Sequence, residues 1–303
     1  DPSPFFPPEL EREIFEIAAY FHPGTIPSLV LVSRRVYEWI DGITYSAVTP
    51  TGAQRSCSVR HLLRAIQSDS KPASFFHRHV RHVFVNTLLI DGSEFSDIQQ
   101  ILSTCSGVQN LMIHNGHKHP ESIIPGIAAL KPRRLSIDWL FILRDMDPRQ
   151  PMFTLLTHFY MFDFLLVSGG PQLQASFVAQ LPVLTHFAAV FEISAGGDFS
   201  ARARDILAAC KSLRVFVFRT QRRIDMRRVL PMEALPSTDD VRFVYMDLPY
   251  PDVERGWIAQ TRGGTDFWAR ADAFVVKKRR GEIRPASRCF IEPADGIPEC
   301  GSF

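Results

Sequence analysis

No apolar run in this chain approaches the roughly 18 residues of a membrane span, so no membrane-embedded segment is expected. Cysteine is scarce: five residues in 303, an odd number, with no Cys-x-x-Cys pair. No Asn-x-Ser/Thr glycosylation acceptor occurs either. These gaps argue against a disulfide-stapled secreted scaffold and for a reduced, intracellular protein. No secretory leader is legible, which points to the cytoplasm or nucleus. An excess of one charge is also missing. Lys and Arg number 34, Asp and Glu 32, leaving a net charge of +2. No nucleic acid and no anionic membrane is therefore expected as a partner. The catalytic signatures Gly-x-Ser-x-Gly, His-Glu-x-x-His, Gly-x-Gly-x-x-Gly and the phosphate-binding loop are all absent. The chain reads as a non-enzyme, with no catalytic residue, no cofactor and no metal.

What is present is a strand signature that returns seven times: apolar, two residues, apolar, one residue, apolar. It stands at Val80/Val83/Val85, Val108/Leu111/Ile113, Leu156/Phe159/Met161, Leu184/Phe187/Ala189, Leu213/Phe216/Phe218 and Val241/Val244/Met246. A weaker copy has Pro132, Leu135 and Ile137. The central anchors, residues 83, 111, 135, 159, 187, 216 and 244, lie 28, 24, 24, 28, 29 and 28 residues apart. Leucine-rich repeats use this spacing and a period of about 20–29 residues. A fixed step makes each unit one turn of a stack whose apolar face is buried by its neighbours. The pattern predicts an α/β solenoid of degenerate leucine-rich repeats with a parallel sheet of about seven strands.

Helices precede several strands at a fixed phase. Ile98, Ile101, Leu102 and Cys105 follow the i, i+3, i+4, i+7 pattern of one buried helical face. Ala203, Ile206, Leu207 and Cys210 repeat it, Phe177, Val178 and Leu181 match three of its places, and Val59, Leu62, Leu63 and Ile66 look like the first such helix. Cys105 and Cys210 thereby read as small buried hydrophobes. Residues 68–76 form an insertion before the first strand. Residues 115–121, 144–151, 168–171 and 194–198 are rich in Gly, Pro or charge and read as return loops.

The first 48 residues have another rhythm. Pro7-Pro8 opens a helix in which Leu10, Ile14, Ile17 and Ala18 share a face, and proline is tolerated in a first turn whose N–H groups have no helical partner. His22-Pro23-Gly24 ends it. A second apolar helix starts within residues 25–33 and either runs on through Val36, Trp39 and Ile40 or breaks near Asp41-Gly42. The domains expected are thus 1–48, a short helical segment; 49–262, the solenoid; and 263–303, a C-terminal capping helix and irregular tail. The short helices should pack together, dock on the first repeat and leave an apolar patch for a partner.

The segment Phe6-Pro7-Pro8-Glu9-Leu10-Glu11-Arg12-Glu13-Ile14-Phe15, with Leu29-Val30-Leu31-Val32-Ser33-Arg34-Arg35 behind it, resembles an F-box. Phe6 stands where that motif has Leu, Glu11 at an often apolar position, and Val36 where Trp is common. The match covers about 40 residues, and the whole chain is similar to the F-box-like proteins abundant in mushroom-forming fungi. The resemblance implies the substrate-recognition subunit of a Skp–cullin–F-box ubiquitin ligase, monomeric outside that complex. Its N-terminal helices would bind the Skp-type adaptor through Phe6, Pro7, Leu10, Ile14, Phe15, Val32 and Ser33. The repeats would hold an unidentified protein substrate. The other reading of the same residues is a non-ligase interaction scaffold whose N-terminal helices only cap the stack.

Side chains alternate along a strand, so residues beside the anchors face the other way. An open concave face would carry His158, Tyr160, Phe162, His186 and Tyr245, and these are the expected substrate-binding residues, aromatic anchors being typical of binding surfaces. The remaining clusters read as ordinary structure. His114, His117 and His119 lie in a Gly/Pro loop without the four-ligand set of a zinc site. Arg222, Arg223, Arg227 and Arg228 read as a solvated face. Lys277-Lys278-Arg279-Arg280 follows Asp266 and the apolar positions Phe267, Ala271 and Phe274, a helix with an acidic start and a basic end.

Overall fold

A computed structural model describes residues 6–52, 56–86, 95–114, 124–137, 146–162, 171–191, 199–220 and 238–302. It is an α/β fold with nine parallel strands among the described residues. The described residues through Leu130 form one compact unit, and those from Lys131 onward form a second.

The first unit opens with α1 (Pro8–Phe21), which has Pro8 at its first helical position. A short α2 (Ile26–Leu29) follows. The chain then turns and enters α3 (Arg34–Thr44). The break falls at Ser33, because its hydroxyl accepts from the Val36 amide at 3.2 Å and satisfies an otherwise unpaired first-turn N–H. The alternative break at Asp41-Gly42 does not occur. Gly42 stays helical and buried because the His79 ring lies against it; a Cβ there would sit 2.0 Å from His79 Nδ1. Beyond α3 come β1 (Ala47–Thr49), β2 (Cys57–Ser58), α4 (Val59–Gln67), α5 (Ala73–His79), β3 (His82–Asn86), α6 (Phe95–Thr104), β4 (Asn110–His114) and α7 (Ile124–Ala128). The strand order is β2-β1-β3-β4, all parallel. The two leading strands have no legible signature because they are only two or three residues long. Val83 pairs with Leu111 and Val85 with Ile113, and all four are fully buried.

The second unit contains β5 (Arg134–Ile137), β6 (His158–Met161), α8 (Pro171–Ala179), β7 (His186–Phe191), α9 (Phe199–Ala209), β8 (Val215–Thr220), β9 (Phe243–Asp247), α10 (Tyr250–Gln260) and α11 (Phe267–Arg279), with the strands side by side in chain order. Leu135, Phe159, Phe187 and Phe216 align across four strands, and Phe187 and Phe216 stack at 5.4 Å. The helix faces fall as their spacing requires. Phe177, Val178, Leu181, Ala203, Ile206, Leu207 and Cys210 are all buried.

Two expectations change here. Phe216 pairs with Phe243 rather than Val244, so the last strand slips by one residue. A one-residue slip exchanges the faces of a strand. Phe243 and Tyr245 now continue the Phe216/Phe218 face, at 5.8 Å and 6.2 Å respectively, while Val244 and Met246 join Val217 and Arg219. Arg242 anchors this register: its guanidinium donates to the carbonyls of Leu207 and Cys210 at the end of α9 and of Leu213 in the turn before β8, and its own carbonyl accepts from the Phe216 amide at 2.8 Å. The second change concerns the far face of the sheet. Ser136, Tyr160, Ala188, Val217 and Val244 share it, and every one is buried. The α11 helix lies on this face, with the Phe267 ring 5.4 Å from that of Tyr160. Parallel strands buried on both faces read as near-continuous apolar runs, and here Ser136, His186 and Arg219 are the buried polar interruptions. The tail beyond α11 carries a short 3₁₀ turn, Pro293–Asp295, and its Cys289 carbonyl accepts from the Tyr245 amide.

Candidate functional site

On α1, Leu10, Ile14, Ile17 and Phe21 follow i, i+4, i+7 and i+11 and form one stripe. All four are about half exposed, at 48%, 51%, 49% and 55%. Phe6 at 45%, and Leu31 and Val32 at 83% and 58% in the turn before α3, are exposed as well. The opposite face of α1 carries Phe15 and Ala19. Ala19 is fully buried with Val36 and Ile40, and Phe15, Ile26, Leu29, Val30, Trp39 and Ile43 pack around them. The segment thus builds a small core of its own and still leaves a second apolar stripe uncovered.

The residues expected to meet an adaptor therefore separate. Phe6, Pro7, Leu10, Ile14 and Val32 are exposed. Phe15 is not part of that surface: it turns inward, with its ring 6.5 Å from Trp39. Ser33 is exposed, but its hydroxyl is engaged in capping α3. Ile17, Phe21 and Leu31 belong to the exposed set and were missing from the expected one. Continuing the Leu10–Ile14 spacing by one and two turns finds the first two, whereas nothing in the sequence marks Leu31 as outward. Glu11, polar where the F-box pattern is often apolar, forms an ion pair with Arg35, whose guanidinium lies 5.2 Å from the Trp39 ring centre. That pair ties α1 to α3.

The expected substrate residues are covered. Tyr160 and Tyr245 are essentially inaccessible, and Phe162 and His186 are buried; only His158 keeps partial exposure. A concave substrate face built on them is therefore excluded, because α11 occupies it. The cover is chemically specific. Asp266 caps α11 by accepting from the Ala269 amide at 2.8 Å and pairs with Arg134 at 2.7 Å. Burial pushes the Asp266 carboxyl up, against the pull of Arg134. His158 and His186 stack at 4.0 Å, both edge-on to Trp268, and His186 Nε2 lies 3.1 Å from Asp272. Burial, then the charge of Arg134 and the second imidazole, drive His158 down to about 2, so it is neutral at physiological pH. Tyr245 lies on the other face altogether, through the register slip. Arg219 is fully buried and donates to the Leu248 carbonyl and the Tyr160 hydroxyl.

Among the described residues, no group of three His, Cys, Asp or Glu side chains is placed to hold a metal. His117 and His119, and Arg222, Arg223, Arg227 and Arg228, lie outside the described residues. All five cysteines are buried and none forms a disulfide, and burial lifts the thiols of Cys57 and Cys105 to about 12. No described helix is long and apolar enough to cross a membrane. No family model matches the chain, and no curated protein matches it.

Proposed function

We propose that this chain is a non-catalytic recognition subunit of a Skp–cullin–F-box ubiquitin ligase, and that the α1 stripe with the turn before α3 is its adaptor-docking face. The observation that carries the reading is the exposure of Leu10, Ile14, Ile17, Phe21, Leu31 and Val32 on a segment that already has a core of its own. A helix with apolar residues at i, i+4, i+7 and i+11 fits an apolar groove in a partner. A helix serving only as a cap would turn that stripe inward, so the exposure favours docking over capping. The strand signature at steps of 24–29 residues and the aligned anchors of adjacent strands support degenerate leucine-rich repeats stacked as a solenoid. In this reading a protein substrate is held elsewhere than on the strand face beneath α11.

The test is complex formation between the purified chain and a Skp-type adaptor. Wild type forms the complex, and Leu10→Asp with Ile14→Asp weakens it more than about tenfold, because a charge in a desolvated contact is strongly unfavourable. Both positions are exposed, so the melting temperature of the double variant stays near that of wild type. Absence of a wild-type complex, or equal retention by the double variant, defeats the proposal.

A further inference from the structure

Lys71 lies in the turn between α4 and α5, after Asp69, a non-glycine residue in the left-handed region with φ 50°. Its ammonium is enclosed by three aromatic rings. The Phe75 ring centre is 4.5 Å from Nζ, and those of Tyr37 and Tyr45 are each 5.8 Å away. The Asp41 carboxylate forms an ion pair with the same ammonium. Tyr37 and Asp41 are i, i+4 neighbours on α3, Tyr45 is the residue that ends that helix, and Phe75 comes from the first turn of α5.

The walls are fixed by packing that does not involve the lysine. Tyr45 meets Phe75 and Phe76 edge-on at 5.6 Å and 6.1 Å, and its hydroxyl lies 3.5 Å from His61 Nε2. Phe75 packs against His79 with the rings tilted and their centres 4.6 Å apart, and His79 is itself held against Gly42. Tyr37 remains 43% exposed and forms the open lip. The result is a half-open box of three rings and one carboxylate, all within the first unit.

This chemistry exceeds what a lysine needs. Burial disfavours the Lys71 charge, but its hydrogen bond and proximity to Asp41 outweigh that and hold its pKa up. A primary ammonium is strongly hydrated and has three N–H donors; one carboxylate and surrounding water serve it well. Ring faces within about 6 Å attract any cation, and they favour one that surrenders little hydration on entry. Methylated ammonium groups are such cations: bulky, weakly hydrated and still charged.

We propose that Tyr37, Tyr45, Phe75 and Asp41 form a binding site for a methylated ammonium group, which Lys71 fills as an intramolecular occupant. The side chain of Lys71 acts as a tethered competitor, so an external ligand reaches the box only when the 68–72 turn withdraws it. The same chemistry has two sources, a methylated ammonium from outside or a methylated Lys71 itself, and two arms of one experiment separate them.

In the first arm, calorimetry with choline compares wild type and Lys71→Ala. The variant binds choline at least about tenfold more tightly than wild type does, and by a similar margin more tightly than its neutral isostere 3,3-dimethylbutan-1-ol. A further Tyr45→Leu change removes that preference. A folded Lys71→Ala protein that does not distinguish choline from the neutral isostere overturns the external source. The second arm needs no empty box. The chain has six lysines, and reductive dimethylation with labelled formaldehyde converts them to dimethyl-lysines without changing their charge. One methyl resonance of the wild type should lie upfield of the rest through ring currents. It should vanish in Lys71→Arg, which this chemistry does not label, and rejoin the main group in Phe75→Leu. No displaced resonance, or one that persists in Lys71→Arg, overturns the internal source. Should Lys71→Ala fail to fold, this second arm alone decides whether the box accepts a methylated ammonium.

Discussion

Two helices in this chain carry stripes of the same spacing and meet opposite environments. On α1, Leu10, Ile14, Ile17 and Phe21 stand at i, i+4, i+7 and i+11 and are half exposed. On α11, Phe267, Ala271, Phe274 and Lys278 stand at the same intervals and are buried. The less apolar stripe, which ends in a lysine, is the covered one. Burial pushes the Lys278 amine below its usual value, an effect that nearby Cys289, Asp240 and Asp239 partly offset. The more apolar stripe is left in water. Apolar spacing therefore says that a helix has a face to offer, while the neighbour that accepts it is a property of the assembled chain. The α1 segment satisfies its core with the opposite face; the second unit has a sheet face to cover and uses α11 for it.

The largest test of this contrast is truncation within each stripe. Phe274→Ala removes a fully buried ring and should destabilise the second unit by about 3–5 kcal/mol, read from denaturant unfolding. Leu10→Ala or Ile14→Ala should stay within about 0.5 kcal/mol, as surface changes do. If the two helices respond alike, the contrast fails.

Arg219 probes the covered face from the strand side. Arg219→Ala leaves the Leu248 carbonyl and Tyr160 hydroxyl without that donor, and should cost about 2–4 kcal/mol; Arg219→Met, which refills the space, should cost less. Equal losses would mean that the lost hydrogen bonds alone set the cost and the refilled volume contributes nothing.

The histidine pair sharpens the same point through pH. The unfolded chain takes up a proton at His158 near 6.5, whereas the folded chain does so only near about 2. The unfolded state therefore binds more protons between those values, and stability is full above about pH 6.5 and falls as pH drops. The ceiling is about 1.4 kcal/mol per pH unit, and partial exposure of His158 lowers it. His158→Asn should flatten the slope of unfolding free energy between pH 6.5 and 4.5. An unchanged slope would show that His158 is not held neutral beneath α11.

The smallest effect belongs to the uncovered segment. Ser33→Ala removes the cap of α3 and should cost about 1 kcal/mol, with Ser33→Asp close to neutral. A loss as large as that of Phe274→Ala would make this serine more than a cap.

The sequence by itself determined the strand anchors, the phase of the helices against them and the acidic start of α11. Each is a local consequence of alternation along a strand, the 3.6-residue turn, or an unpaired first-turn N–H. The anchors from Val83 through Phe218 are buried in aligned ladders, and Asp266 caps the helix that it opens. The tertiary structure decided the rest. It turned Phe15 inward while Ile14 stayed outside, one residue apart on one helix. It slipped β9 by a single position, because Phe243 and Tyr245 extend an aromatic ladder that Val244 and Met246 do not, and because Arg242 is held by the Leu207, Cys210 and Leu213 carbonyls between the last turn of α9 and β8. It laid α11 over Tyr160 and His186, where alternation alone predicts an open face. A repeat reports which residues avoid water; which of two apolar surfaces is covered depends on the area that the rest of the chain can place against it, and that comparison exists only in three dimensions.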